Sequence, residues 1–160
     1  MHEKILEILE SDCNLPLEQI AIMADMTPEA VAAEIDELKK EKIILGNKSV
    51  INWEKTGKEC VTALIELKVT PQRGEGFDKI AERIYKFPEV KSLYLMAGAF
   101  DLTVIIEGKT MKEVALFVAN RLAPMECVVS TGTHFVLKKY KYEGIVFEDE
   151  EKDTRQVITL

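Results

Sequence analysis

The sequence predicts an α+β protein in two parts, an N-terminal winged helix-turn-helix and a C-terminal ferredoxin-like βαββαβ domain. Before residue 43, apolar residues recur at helical spacing in three short segments, two of them joined by the tight connection Asp25-Met26-Thr27. After residue 60 they recur mainly at strand spacing. Two helical stripes interrupt those strands in the order βαββαβ.

Ile5, Leu6, Ile8 and Leu9 make an amphipathic stripe over residues 2–10, which Ser11, Asp12 and Asn14 break. Leu17, Ile20, Ala21 and Ala24 repeat it, with Pro16 suited to a first helical turn because its missing N–H costs nothing there. Thr27 is an N-cap and Pro28 an N1 residue for a third helix, on which Val31, Ile35 and Leu38 share a face. Ile43-Ile44, Gly46 and Ser49-Val50-Ile51 read as two short strands around a turn, the wing of the motif.

Residues 61–70, VTALIELKVT, alternate as a strand, and 71–76, PQRGEG, form a loop. Phe77, Ile80, Ala81 and Ile84 make a helical stripe that Pro88 ends. Strands at 91–97 and 101–107 follow, joined through Gly98-Ala99-Phe100. A capping box, Thr110 to Glu113, opens a helix that turns Met111, Val114, Ala115, Val118 and Leu122 inward, and 126–140 is the last long strand. The domains are therefore 1–50, a linker 51–60, 61–142, and an acidic tail 143–160. In the tail, Val157 to Leu160 read either as an added edge strand or as terminal disorder. Leu64 and Ile105 put apolar groups on the face that helices should leave uncovered, so a second copy of the sheet is expected to cover it in an obligate dimer.

Composition excludes several classes. No apolar run approaches the roughly 18 residues of a membrane span, and MHEKILEILE lacks the basic and apolar regions of a signal peptide, so a cytoplasmic protein is expected. The 3 cysteines, Cys13, Cys60 and Cys127, have no metal-ligand or disulfide spacing and read as buried free thiols. His2 and His134 are the 2 histidines, and neither is assigned a catalytic or metal role. No cofactor is implied.

The net charge of −7 is uneven. Residues 1–50 hold five Lys/Arg against eleven Asp/Glu, residues 51–142 fourteen against eleven, and 143–160 two against six. With Val31, Ile35 and Leu38 inward, the outer face of the third helix carries Glu29, Ala33, Asp36, Glu37 and Lys40. If this face reads a DNA major groove, candidate contacts are those residues with Thr27 at the cap. Lys39, Lys40, Lys42 and Lys48 are candidates for phosphate contacts, with Lys55 and Lys58 of the linker as further basic groups. Glutamate accepts from cytosine N4, but phosphates repel it. A solvated face, with Glu29 on the helix dipole, Asp36 paired to Lys39 or Lys40 and Glu37 paired to Lys40, fits the same residues.

The domain order, the AGAFDL hairpin, MTPEAVAAEIDELKKEKII and VVSTGTHFVLKKY together resemble the Lrp/AsnC family of feast/famine transcriptional regulators, over roughly residues 1–142. The resemblance implies a DNA-binding regulator whose C-terminal domains dimerise and often assemble into octamers. It implies small effectors, commonly amino acids, held between dimers near the hairpin. Carried over residue by residue, the effector site comprises Met96, Ala97, Gly98 and Asp101, with Thr131 and Thr133 from the last strand. Gly98 and Asp101 equally suit the needs of a turn. The chain departs from familiar members at Ala99, often polar there, and at Ala33, Glu34, Asp36 and Glu37, frequently basic there.

Two other functions compete with the regulator. A metabolite-sensing module with weak or no DNA binding, acting with a paralogue, fits the acidic helix. An enzyme resembling the siroheme decarboxylases, which share the layout, would need His, Arg or Tyr groups around a heme-like substrate; residues 91–107 offer Tyr94 but no His or Arg. No enzyme is expected.

Overall fold

A computed structural model describes residues 2–71 and 76–147 of the chain. The chain divides into two compact units, Met1–Ser49 and Val50–Leu160, so the architecture is the expected α+β type.

The first unit holds α1 (His2–Ser11), α2 (Leu17–Ala24) and α3 (Pro28–Lys40). Their apolar stripes converge in one core of Ile5, Ile8, Ile20, Ala21 and Val31, with Ile35 packed against it; Leu38 is also buried. Asp25 takes a left-handed conformation, φ 57°, to end α2, and the Met26 N–H returns to the Ala21 carbonyl at 2.9 Å. The chain is thereby reversed within the three-residue turn. Thr27 Oγ1 then accepts the Ala30 N–H at 3.3 Å and Pro28 occupies the first turn, which starts α3.

The expected wing strands at 43–51 do not form. Lys42 adopts φ 58°, and the N–H groups of Ile43 and Ile44 both donate to the Leu38 carbonyl, at 2.9 and 3.1 Å. The donors that would have begun a ladder are thus spent on closing the end of α3. Leu45 is left 87% exposed. In the linker, residues Trp53–Thr56 form a 3₁₀ turn ended by Gly57 at φ 71°.

The second unit builds a four-stranded antiparallel sheet from β1 (Val61–Val69), β2 (Val90–Leu95), β3 (Leu102–Gly108) and β4 (Val128–Phe135), in the order β2-β3-β1-β4. Helices α4 (Phe77–Tyr85) and α5 (Met111–Phe117) supply Ile80, Ile84, Val114 and Phe117 to a core with Ala63, Ile65, Leu67, Leu102, Val104 and Ile106. Registers Ile65↔Val104 and Leu67↔Leu102 put these strand residues on one face; Leu64↔Ile105 and Glu66↔Thr103 occupy the other.

Three local expectations change. Met111 and Ala115 are exposed on α5, and Phe117 is buried instead. The inward stripe begins at Val114, and residues Val118–Leu122 widen into a π turn that carries the phase on to Leu122. The last strand ends at Phe135 rather than near 140: its pairing with β1 stops at Ala63↔Phe135, and β1 extends only two residues, Thr62 and Val61, past that point. The Val136 N–H still reaches the Thr62 carbonyl at 2.9 Å, one residue past the strand's end. A further hairpin, β5 (Lys141–Tyr142) and β6 (Ile145–Val146), turns through Glu143 and Gly144, both with positive φ. The boundary expected at 142/143 falls inside that hairpin. Residues 72–75 of the expected loop, and Val157 to Leu160 of the tail, lie outside the described residues.

Candidate functional site

On α3 the burial pattern follows the sequence reading. Val31 and Leu38 are buried and Ile35 half-buried, while Glu29, Ala33, Asp36, Glu37, Lys39 and Lys40 are exposed, as are Thr27, Lys42 and Lys48. The thirteen-residue helix carries its carboxylate Glu29 in the first turn and its ammonium groups Lys39 and Lys40 in the last, each sign complementing the helix dipole. Asp36 and Glu37 lie between them, so the exposed surface is acidic through most of its length and basic only at its C-terminal end. Glu34 is half-buried and meets His2 of α1, a contact within the unit that takes it out of the outer face.

At the hairpin between β2 and β3, Asp101 is held firmly. Its carboxylate accepts the Val69 N–H at 2.9 Å and the Lys68 ammonium at 3.0 Å, and its own N–H donates to the Leu67 carbonyl at 3.0 Å. The Val69 N–H and then the Lys68 ammonium hold its carboxyl below the usual range. The β1–β4 register slips between Lys68 and Val69, where this carboxylate supplies the acceptor for a ladder N–H. Met96, whose N–H donates to the Asp101 carbonyl at 2.8 Å, closes the hairpin base.

Met96, Ala97 and Gly98 are exposed at the tip. A Cβ added at Gly98 would meet nothing within 4 Å, and φ there is not positive, so neither packing nor backbone conformation demands glycine. Thr131 and Thr133 pair with Leu67 and Ile65 on the outer strand β4. Thr131 therefore shares the hairpin's end of the sheet with Leu102, which pairs with Leu67 from the other side. The two strands stand roughly 10 Å apart across β1. Thr133 lies two residues farther from the hairpin.

The six expected effector residues thus lie towards one end of the sheet, and none of them is buried. A neighbouring cleft of about 340 Å³, between α4 and β2, is lined by Phe77, Tyr85, Lys91, Leu95 and Leu102 among others, and by none of the six. Sequence reasoning missed Lys68 as the partner of Asp101. Its one signal was the lysine standing at the end of the first strand.

On the sheet face without helices, Leu64 and Ile105 are half-buried opposite neighbours, and His134 Nε2 lies 3.0 Å from Glu66 Oε2. The cysteines are free, but only Cys127 is buried; Cys13 is half-buried and Cys60 exposed. Cys60 stands just before β1 begins. No helix among the described residues is long and apolar enough to cross a membrane.

Comparison with known proteins adds independent support. A profile described as the Lrp/AsnC ligand binding domain matches residues 62–146. The chain is 51% identical, over 98% of its own length and 95% of the relative's, to the uncharacterized HTH-type transcriptional regulator YugG of Bacillus subtilis. It is 29% identical to the HTH-type transcriptional regulator FL11 of Pyrococcus furiosus, covering 87% and 89% of the two chains. Among solved structures, the transcriptional regulator NMB0573 of Neisseria meningitidis in complex with L-Met shares the fold, with TM-score 0.71 and 20% identity over 88% of this chain and 90% of that one.

Proposed function

Because the chain belongs to the Lrp/AsnC family, we propose that it is a DNA-binding transcriptional regulator whose C-terminal unit responds to a small effector. The observation that carries the proposal is the coupling of two parts in one chain. A capped, solvent-facing α3 follows α2 through a tight turn, and a ligand-binding domain of that family occupies residues 62–146. Such a protein acts in the cytoplasm on double-stranded DNA and binds rather than transforms its effector.

In this reading residues 1–50 form the DNA-binding domain, 51–60 the linker, 61–142 the effector and assembly domain, and 143–160 the acidic tail. Thr27, Glu29, Ala33, Asp36 and Glu37 face the groove; Lys39, Lys40, Lys42 and Lys48 meet phosphates. Leu64 and Ile105 meet a second copy of the sheet in a homodimer, and dimers join further, up to an octamer.

An amino acid is the proposed effector, held at the hairpin between dimers by the backbone at Met96, Ala97 and Gly98 with Thr131 and Thr133 nearby. Asp101 is committed to Val69 and Lys68, so it orients the hairpin rather than receiving the ammonium group. The open geometry of the hairpin supports a site that only a neighbouring subunit completes. Effector binding there shifts dimer–dimer contacts and with them the spacing of the DNA-binding units.

The acidic stretch of α3 favours one second reading, an oligomeric metabolite sensor that binds DNA weakly and works with a more basic paralogue. Selection from random duplexes at low salt tests both. The regulator enriches a near-palindromic site alone, and the sensor does so only when mixed with the paralogue. Enrichment by neither overturns the proposed function.

A further inference from the structure

Glu89 follows α4 in a turn whose backbone is anchored: its carbonyl accepts the Glu107 N–H at 3.2 Å. Its side-chain atom Oε2 is buried and has no hydrogen-bond partner among the described residues. An ionised carboxylate oxygen left without a donor away from water is costly, and such groups in folded proteins nearly always have a partner. Glu89 lines a cleft of about 200 Å³ shared with Ile106, Val114, Leu116, Phe117 and Arg121. The cleft lies between α5 and the strand β3, away from the hairpin.

The chemistry of the wall limits what supplies the missing donor. Ile106, Val114 and Phe117 are buried and apolar, so they offer no hydrogen to the carboxylate and disfavour a strongly hydrated occupant; Asn120, whose amide could donate, also lines the cleft but is exposed and makes no bond to Glu89 Oε2. Glu113 also lines the cleft, but its Oε2 already accepts the Lys109 N–H at 2.6 Å. Arg121 also lines the cleft and is exposed, its guanidinium 6.0 Å from the centre of the Phe87 ring. A cavity of about 150 Å³ holds a molecule the size of benzene, so this one suits roughly six to nine non-hydrogen atoms. Carboxylates bind charged donors more strongly than neutral ones.

We infer that this cleft binds a small primary amine, with its ammonium group on Glu89 and its short apolar chain against Ile106, Val114 and Phe117. The site is separate from the hairpin and does not depend on an effector binding there. Two sources share the chemistry, a simple alkylamine and an aliphatic amino acid, whose carboxylate would reach Arg121 at the rim.

Calorimetric titration of the full-length protein with n-butylamine, norvaline and butyrate tests the inference. Butylamine is expected to bind saturably, and butyrate, which has the chain but the wrong charge, is not. Norvaline binding more tightly than butylamine, with the gain lost in Arg121→Ala, identifies an amino-acid site; equal or weaker binding identifies an alkylamine site. Glu89→Gln, shown to be folded by circular dichroism, weakens butylamine at least about tenfold. Should Glu89→Gln fail to fold, Leu116→Trp closes the mouth from a half-exposed position and abolishes binding. Ala97→Trp at the hairpin leaves butylamine binding intact, which separates this site from the proposed effector site. No saturable binding of butylamine, equal binding in Glu89→Gln, or retained binding in Leu116→Trp overturns the inference.

Discussion

Asp101 and Val69 are joined by a hydrogen bond of 2.9 Å from the Val69 N–H to the Asp101 carboxylate, at the point where the β1–β4 register slips. One side chain therefore ties the end of β1 to the start of β3. The bond makes Asp101 a positioning residue in this chain, and it leaves backbone groups at the tip as the available polar contacts. It also couples the hairpin to pH. The folded-state pKa of Asp101 is lowered, first by the Val69 N–H and then by Lys68. The stabilisation is fully present above the unfolded-state pKa and is lost as pH falls through the lower folded value. Asp101→Asn should thus melt below the wild type at neutral pH, and the gap should close only below about pH 4. Melting curves of both proteins across acidic pH check this; a gap that persists undiminished at the acid end excludes the coupling.

Two separate cores imply two separable losses of stability. Ile65 is fully buried in the core of the second unit and Leu38 is 1% exposed in the first. Truncation of either to alanine should cost about 2–5 kcal/mol. Scanning calorimetry should show Ile65→Ala moving the transition of the larger unit and Leu38→Ala that of the smaller. A single transition that both variants shift equally would mean that the units unfold together.

The proposed dimer rests on Leu64 and Ile105, direct neighbours on the sheet face that lacks helices. Ile105→Lys puts a charge at the centre of that face and leaves the helix-covered core untouched. Light scattering with size-exclusion chromatography should show the dimer dissociation constant raised about thirtyfold or more, the scale of an interface hot spot. An unchanged dimer with native circular dichroism would put the interface elsewhere.

Periodicity made the strand and helix order readable because burial imposes it residue by residue. Val31 and Leu38 on α3, and Ala63, Ile65 and Leu67 on β1, were visible for that reason. The failures have a common cause in partners distant in sequence or in hydrogen bonds that compete locally. Ile43 and Ile44 look like strand residues, yet their N–H groups cap α3. The last strand continues apolar past Phe135, but its pairing with β1 stops at Ala63, two residues from the start of that strand. Phe117 is buried in place of Ala115 because Val114, Phe117 and Val118 stand at i, i+3 and i+4 on one helical face; the π turn at Val118–Leu122 acts only beyond them, carrying the stripe on to Leu122. At the candidate sites, the exposed face of α3 followed directly from its buried one. The commitment of Asp101 to Lys68 joins residues 33 apart in sequence, and the empty acceptor on Glu89 depends on the packing of α5. Neither has a local pattern.

The charge of α3 supplies the most direct prediction about DNA. Asp36 and Glu37 are exposed on the face that would approach a groove, while Lys39 and Lys40 stand one turn or less away. Each carboxylate near the duplex opposes the release of counterions that drives non-specific binding. Replacing both, as Asp36→Lys with Glu37→Lys, should raise affinity for arbitrary duplexes and steepen the plot of log K against log salt by about 0.9 for each new phosphate contact. Lys39→Ala with Lys40→Ala should flatten the same plot. Sequence preference should respond differently, because phosphate contacts carry no base information. The double lysine variant gains affinity for every duplex and therefore discriminates less between the selected site and random DNA. Titrations of both variants on selected and random duplexes measure each effect. A salt slope unmoved by either pair of substitutions would mean that the outer face of α3 does not approach the phosphates.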